Sequence, residues 1–380
     1  MPLKLFEFEA KRLLEGSGVR TPRGEIASTP EEAREVARRL AAPVAIKAQI
    51  LAGGRGKSGG IKFADTPEEA ENASRSLLGS KIQGLTVNRV LVEEKLTISK
   101  EYYVGVTVDR SKKSYVAIAS SRGGVDIEEA VKESPNEVTI KRLDSIRALD
   151  GFEAREMAAS IGCRGRALVL VAQSLVSLFS RAMILDAETF EINPLVETRD
   201  GNFIAADARL VVDDNALYRH PDMAKILDES GELSSDELRA RKRDLVYVEL
   251  DGDIGILGNG AGLVMATLDL VQSYGGRPAN FLDIGGGATM DRVSYGLEIL
   301  LSNPRVKVVL INVLGGITRC DEVAKGILDV RKTLKSAKPM IIRMVGTNEQ
   351  DGRFLLGREG IPVADTMDDA AREAVRLSRL

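Results

Sequence analysis

Three apolar runs in the last third of the chain each end in a glycine cluster and pass straight into helix-like sequence. Ile254 to Leu257 enters Gly258-Asn259-Gly260-Ala261-Gly262, Asn280 to Ile284 enters Gly285-Gly286-Gly287-Ala288, and Val306 to Val313 enters Leu314-Gly315-Gly316-Ile317-Thr318. Strands separated by helices cannot be joined as hairpins, so the alternation predicts parallel strands with helices on both faces. Ile341 to Val345 supplies a fourth strand. The expected fold of this region is a doubly wound parallel α/β sheet, whose ligands bind beyond the carboxyl ends of the strands.

The earlier sequence has a different grammar. Val90 to Glu94, Tyr102 to Asp109 and Tyr115 to Ser120 are short β-rich runs, the last two flanking the polar turn Arg110 to Lys113, and they predict an antiparallel meander. Helical periodicity from Gly151 to Leu185 gives way to Thr189 to Thr198, a turn at Arg199-Asp200-Gly201-Asn202, and Phe203 to Val212, which reads as a hairpin. Thr29, Thr66 and Thr366 each precede acidic residues and read as helix N-caps, with Pro30 and Pro67 at the first helical position. Residues 213–242 are polar and weakly patterned, as a bridge between domains would be. At 380 residues, against roughly 150 per domain, the chain has room for two to three domains. The boundary is placed near Arg243: an α+β domain with antiparallel sheets over 1–242, including the bridge, and the parallel domain over 243–380.

Charge is balanced, 53 Lys and Arg against 56 Asp and Glu for a net of -3, so no field favours nucleic acid or an anionic membrane. Aromatic residues at 4%, with no Trp, remove the stacking platforms of single-strand binders. A hydrophobic content of 44% at that low net charge argues against disorder. Ala167 to Phe179, interrupted by Gln173, Ser174 and Ser177, falls short of the roughly 20 residues a membrane helix needs and reads as a buried helix. Met1 to Gly18 lacks the apolar core and cleavage site of a secretory signal. The two cysteines, Cys163 and Cys320, have no metal-ligand spacing around them, and a reducing, cytoplasmic setting is expected.

Gly56-Lys57-Ser58 imitates the end of a P-loop, but that motif needs glycine at position 51, which is Leu, and Gly59-Gly60 would weaken the helix that must follow. What remains is a glycine loop with two cations, Arg55 and Lys57, able to close over a triphosphate. Lys47, within the apolar run Pro43 to Ala48, is expected on a buried strand face and needs an anion partner there. A phosphate fits, because the glycine loop follows within six residues. Glu93, Glu94 and Glu101 lie where a nucleoside would rest against strand backbone. In the hairpin, Asn193 and Asp207 are each seven residues from Asp200. A turn centred there makes them cross-strand neighbours with Cβ atoms about 5 Å apart, and makes Glu191 and Arg209 the next same-face pair. Carboxylate and amide oxygens on one strip suit Mg²⁺ bound together with substrate phosphates, not zinc.

Five segments carry a family resemblance: Ala52-Gly53-Gly54-Arg55-Gly56-Lys57-Ser58-Gly59-Gly60, Glu191-Ile192-Asn193-Pro194-Leu195-Val196, Asn259-Gly260-Ala261-Gly262-Leu263, Asn280-Phe281-Leu282-Asp283-Ile284-Gly285-Gly286-Gly287-Ala288 and Gly315-Gly316-Ile317-Thr318-Arg319-Cys320-Asp321. In this order they closely resemble the β subunits of ADP-forming succinate–CoA ligases, and the resemblance covers essentially the whole chain. Departures are Phe6-Glu7-Phe8-Glu9-Ala10-Lys11, where the family usually reads His-Glu-Tyr-Gln-Ala-Lys, and Leu51, where it often has His. Neither is expected to carry phosphate chemistry.

The resemblance implies an N-terminal ATP-grasp domain followed by a flavodoxin-like CoA-ligase domain. It implies an acid–thiol ligase of the tricarboxylic acid cycle, interconverting succinyl-CoA, ADP or GDP and phosphate with succinate, CoA and ATP or GTP. By motif position, Lys47, Gly54, Arg55 and Gly56 would hold nucleotide phosphates, Glu93, Leu96 and Glu101 the nucleoside, and Asn193 and Asp207 Mg²⁺. Glu191 would be the catalytic group facing a phosphohistidine. Asn259 and the loop Gly316-Ile317-Thr318 would contact the organic acid and the transferred phosphoryl group. The chain's only histidine, His220, sits beside Arg219 and Pro221 with no glycine cradle and reads as structural. The resemblance therefore implies an α subunit carrying the phosphorylated histidine and the main CoA site, in an αβ or α2β2 assembly. A malate–CoA ligase β subunit is the nearest alternative. A non-catalytic nucleotide-binding scaffold would have lost phosphate and metal positions, yet Lys47, Arg55, Asn193 and Asp207 are all present.

Overall fold

In the computed structural model, which describes residues 3–41, 43–144, 147–229, 234–334 and 338–380, the chain divides into two units, residues 1–227 and 228–380. The first begins β1 (Leu3–Lys4), α1 (Glu7–Leu14), β2 (Gly24–Ala27), α2 (Pro30–Leu40), β3 (Val44–Ala48), β4 (Ile61–Ala64), α3 (Pro67–Leu77), then the two-residue β5 (Lys81–Ile82) and β6 (Leu85–Thr86). It continues through β7 (Val90–Glu94), β8 (Ile98–Asp109), β9 (Ser114–Ser120), α4 (Ile127–Glu133), β10 (Val138–Asp144), α5 (Gly151–Ser160) and α6 (Gly165–Ile184). The last strands are β11 (Ala187–Thr198), β12 (Phe203–Ala205) and β13 (Ala208–Val212).

Thr29 and Thr66 accept hydrogen bonds from the main-chain N–H groups of Glu32 and Glu69, with Pro30 and Pro67 just inside, so α2 and α3 start where the sequence indicates. Both helices cover a four-stranded antiparallel sheet ordered β2-β7-β3-β4, burying Val36, Ala70 and Leu77 against Ile46, Val90 and Val92. This corrects the expected meander: Val90–Glu94 belongs to this sheet, between β2 and β3, because its apolar residues are buried on both faces. The meander is instead β8, β9 and β10, part of a larger antiparallel sheet ordered β1-β13-β11-β8-β9-β10, with β12 also paired to β11. Helix α6 is 20 residues, longer than the sequence reading allowed, and by length and composition alone could cross a membrane. Val171, Leu175, Leu178 and Phe179 are nevertheless buried on one face, with Phe179 edge-on to Tyr115 of β9, as in a core helix.

After α7 (Pro221–Glu229), the second unit holds α8 (Ser235–Arg241), β14 (Val246–Glu249), β15 (Ile254–Gly258), α9 (Ala261–Ser273), β16 (Asn280–Asp283), α10 (Met290–Ser302) and β17 (Val308–Gly315). It ends with α11 (Cys320–Thr333), β18 (Met340–Gly346), α12 (Glu349–Arg358), β19 (Val363–Ala364) and α13 (Met367–Ser378). The sheet order is β14-β16-β15-β17-β18-β19; its five parallel strands taken alone run 2-1-3-4-5, the flavodoxin-like order. Alternate residues serve the two faces: Ile254, Ile256, Val308 and Leu310 pack with α9 and α13, and Leu257, Val309, Ile311 and Met344 with α10 and α11. Each fully buried Leu, Ile or Val contributes roughly 1.5–3 kcal/mol.

Two features differ from expectation. The edge strand β14 is antiparallel. The division between units falls at 227/228 rather than 242/243, because α8 buries Ala240 in the second core and Glu237 Oε1 accepts the N–H of Glu249 on β14.

Candidate active site

The hairpin register is the one that the sequence indicates. Glu191 pairs with Arg209 and Ile192 with Ala208, both centred on Asp200, and the Asn193 N–H donates to the Asp207 carbonyl at 3.2 Å. On the other side of β11, Gly105 of β8 lies opposite Glu191. Residues 51–60 fold as successive tight turns, with Gly54 at φ +70°, and lead into β4. No helix follows the loop, in keeping with the rejected P-loop. These elements wall a cavity of about 850 Å³. Lys47, Gly54, Arg55, Gly56, Glu93, Leu96, Glu101, Glu191, Asn193 and Asp207 all line it.

The cationic end is a closed cluster. Lys47 has three N–H groups and meets three oxygens: Glu93 Oε1 at 2.6 Å, Glu7 Oε1 at 3.1 Å and the Ala206 carbonyl at 2.5 Å. Arg55 Nη2 lies 2.8 Å from both Asp207 oxygens and 2.9 Å from Glu7 Oε2. Lys11 on α1 closes the set, 2.7 Å from Glu7 Oε1 and 2.7 Å from Glu93 Oε2. Burial alone would push the Glu7 carboxyl up, but Lys11, Lys47 and Arg55 together hold it well below the usual carboxylate range. Burial works against charge on Lys47 and Arg55 as well, and Glu7 leads the carboxylates that overcome it and raise both. Glu93, expected beside the nucleoside, therefore has both oxygens on Lys11 and Lys47. Leu96 and Glu101 are half-buried on the cavity wall, and burial raises the Glu101 carboxyl.

Glu191 Oε2 accepts the Tyr103 hydroxyl at 2.8 Å, while Oε1 is 3.7 Å from Arg209 Nη1. Burial raises the Glu191 carboxyl; the Tyr103 bond and Arg209 only partly offset that. Tyr103 reaches Glu191 by lying over Gly105, where a Cβ would fall 2.4 Å from its hydroxyl. Asn193 is held by the segment before α4, its Oδ1 accepting the Gly124 N–H at 2.7 Å and its Nδ2 donating to the Val125 carbonyl at 2.9 Å.

In the second unit, strand order reverses between β15 and β17, and the loops after those two strands hold the expected acid-binding residues. Asn259 Nδ2 donates to the Leu314 carbonyl at 2.9 Å and to Thr318 Oγ1 at 3.1 Å, and Oδ1 accepts the Leu314 N–H at 2.9 Å. Thr318 Oγ1 also accepts the Gly287 N–H at 3.0 Å, so Asn259 and Thr318 tie three glycine loops together. Thr318 is buried, while Gly316 and Ile317 are exposed and form the loop's outer surface. The first turn of α9 has no acidic residue, whereas α11 begins with Asp321 and Glu322, so α9 presents the N-terminus more favourable to an anion. His220 is half-buried, with Nε2 2.7 Å from Asp186 Oδ2, and belongs to a surface ion group with Arg219.

Four contributors were not evident from the sequence. Asp283 Oδ1 accepts the N–H groups of Gly260 and Gly285 at 2.6 and 2.7 Å, pulling two glycine loops together. Tyr103 orients Glu191 across the strand pair. Glu7 and Lys11 carry the charge cluster, although the N-terminal motif was expected to be silent. Their signal is periodicity: the buried face of α1 is Glu7, Ala10, Lys11 and Leu14, an i, i+3, i+4, i+7 stripe containing two opposite charges.

Comparison with known proteins matches residues 4–197 to the ATP-grasp domain and residues 257–377 to the CoA-ligase domain. The succinate–CoA ligase [ADP-forming] subunit beta of Herpetosiphon aurantiacus is 46% identical over 378 residues, covering 99% of this chain and 100% of the relative. The succinate–CoA ligase [GDP-forming] subunit beta of Thermus thermophilus is 48% identical over 375 residues, covering 99% of each. Among solved structures, ATP citrate lyase from Methanothrix soehngenii in complex with citrate and coenzyme A superposes with a TM-score of 0.79 at 20% identity, covering 99% of this chain and 100% of that one. At that identity the likeness concerns the fold.

Proposed function

This chain belongs to the family of succinate–CoA ligase β subunits, and on that premise we propose that with an α subunit it interconverts succinyl-CoA, ADP or GDP and phosphate with succinate, CoA and ATP or GTP. Its share is to bind the nucleotide and exchange a phosphoryl group with a histidine of the partner, in an αβ or α2β2 assembly where the partner holds most of the CoA. One observation carries the reading: ten residues placed by motif position, far apart in sequence, line one cavity of about 850 Å³, a volume suited to a nucleotide.

Lys47 and Arg55 donate hydrogen bonds to the nucleotide phosphates, and a phosphate oxygen takes the place of the uncharged Ala206 carbonyl on Lys47. Leu96 and Glu101 hold the nucleoside. Mg²⁺ fits Asp207 and Asn193. Each Asp207 oxygen accepts one contact from Arg55 and keeps a further lone pair, and two protein oxygens match an ion completed by phosphates and water. Bound there, the ion would neutralise charge on the phosphates.

Glu191 accepts the N–H of the partner's imidazole, which leaves the other ring nitrogen to take the phosphoryl group. The P–N bond forms as the bond to the nucleotide's leaving oxygen breaks, and the reverse applies for nucleotide synthesis. In the second unit, Gly316 and Ile317 face the acid, and Asn259 and Thr318 hold that loop in place. Cys163 and Cys320 are both buried and unpaired, which suits a cytoplasmic enzyme.

The test is reconstitution with a candidate α subunit and assay of ADP and GDP release with succinate, malate, acetate or citrate, with and without CoA. Turnover that needs succinate, CoA and both subunits is the expected result. Preference for malate would move the acid assignment, and turnover by this chain alone would overturn the subunit role.

A further inference from the structure

Helix α1 lies outside the five segments that carry the family resemblance, yet it buries a charged pair directly behind Lys47 and Arg55 of the cavity wall. Glu7 has a fully buried side chain, and its two oxygens divide their contacts. Oε1 meets Lys11 at 2.7 Å and Lys47 at 3.1 Å, and Oε2 meets Arg55 at 2.9 Å and the Gln49 amide at 3.3 Å. Glu7 is thus the carboxylate that touches both Lys47 and Arg55, joining β3 to the glycine loop. Glu93 reaches Lys47 and Asp207 reaches Arg55. Lys11 balances Glu7 and Glu93, so the set closes with three cations and three carboxylates.

We infer that Glu7 is a positioning residue for phosphate binding, a buried carboxylate that fixes the separation and direction of the Lys47 ammonium and the Arg55 guanidinium, with Lys11 as its counter-charge. This rests on the proposal that the cavity binds a nucleotide. Lys47 and Arg55 are long, flexible side chains, and a shared buried anchor holds them in one geometry before the phosphates arrive. Lys11 does not line the cavity, and its part is to keep the cluster neutral.

The test measures binding by calorimetry on the full chain, with Mg–ADP, Mg–GDP and the corresponding nucleosides as probes. The variants are Glu7→Gln, Glu7→Asp and the double variant Glu7→Gln/Lys11→Gln, which keeps the cluster neutral. Positioning of phosphate cations predicts that Glu7→Gln weakens the diphosphate by about 10-fold or more. It leaves nucleoside affinity unchanged, is partly rescued in Glu7→Asp, and is not rescued in the double variant. Equal loss of nucleoside and diphosphate, or recovery in the double variant, would overturn the positioning role in favour of general packing or simple charge balance. Wild-type diphosphate affinity in Glu7→Gln would overturn it outright. If the wild type binds neither diphosphate, the nucleotide reading itself fails.

Discussion

Replacing Gly105 with alanine would place a methyl group in space that the Tyr103 phenol occupies. The added Cβ would lie 2.4 Å from the Tyr103 hydroxyl and 2.8 Å from two ring carbons, distances that real Cβ atoms do not adopt. Because Gly105 stands opposite Glu191 and Tyr103 precedes it by two residues on the same face, the ring must lift away from Glu191. Losing a hydrogen bond to a charged, largely buried acceptor costs about 1.5–3 kcal/mol. Displacing the buried ring adds about 1 kcal/mol, for a total near 3 kcal/mol. For a unit of about 200 residues that corresponds to a fall in Tm of roughly 6–12 °C, read by calorimetry on the first unit's transition. Tyr103→Phe keeps the ring and removes the bond, so it should lose about two-thirds as much. It should also raise the Glu191 pKa further, because the Tyr103 hydroxyl is the leading influence that offsets burial. The acid limb of phosphoryl transfer then moves to higher pH. A Gly105→Ala protein that melts within 1 °C of wild type, or an acid limb unmoved in Tyr103→Phe, would refute this reasoning.

Three further outcomes follow from the same geometry. Asp207→Ala should reduce Mg²⁺-dependent turnover of the complex by about 100-fold or more; turnover within a few-fold of wild type would remove Asp207 from the metal site. Glu191 has a raised folded-state pKa, so it contributes stability below the unfolded carboxyl value, near 4.3, and loses it as pH rises through the folded value. Glu191→Gln should therefore gain stability relative to wild type as pH is raised from 4 to 7, and a flat or falling difference in urea midpoint would contradict the burial assigned to this group. Thr318→Val removes the hydroxyl that joins Asn259 to Gly287, and should raise the KM for the acid while leaving phosphorylation of the partner by nucleotide unchanged. A loss in both steps would show that the loop serves more than the acid.

The parallel sheet was legible because three of its strands, β15, β16 and β17, each end in a glycine turn, a local signal that needs no tertiary information. The hairpin was legible for a similar reason: Asp200 and Gly201 fix the turn, and the period of two then places Asn193 beside Asp207 and Glu191 beside Arg209. What escaped depends on partners distant in sequence. Val90–Glu94 has the same composition as its neighbours in the larger sheet, and only its pairing with β2 and β3 assigns it elsewhere. The antiparallel β14 and the attachment of α8 to the second unit are likewise fixed by contacts with β16 and β14. Lys47 was correctly read as a buried lysine that needs an anion. Sequence alone could not show that Glu7 and Glu93 already supply two, 40 residues before it and 46 after it. Glu7 and Lys11 look like an ordinary solvent-facing i, i+4 pair until the apolar stripe of α1 is seen to run through them.

The most direct test of the account is to incubate the reconstituted αβ complex with Mg²⁺ and nucleotide triphosphate labelled at the γ-phosphate, and to locate the protein-bound label. The account predicts acid-labile, base-stable phosphate on the partner subunit, none on this chain, and the same result when His220 is replaced by alanine. Label on this chain, or its loss in His220→Ala, would contradict the claim that this subunit supplies the nucleotide site and its partner the histidine.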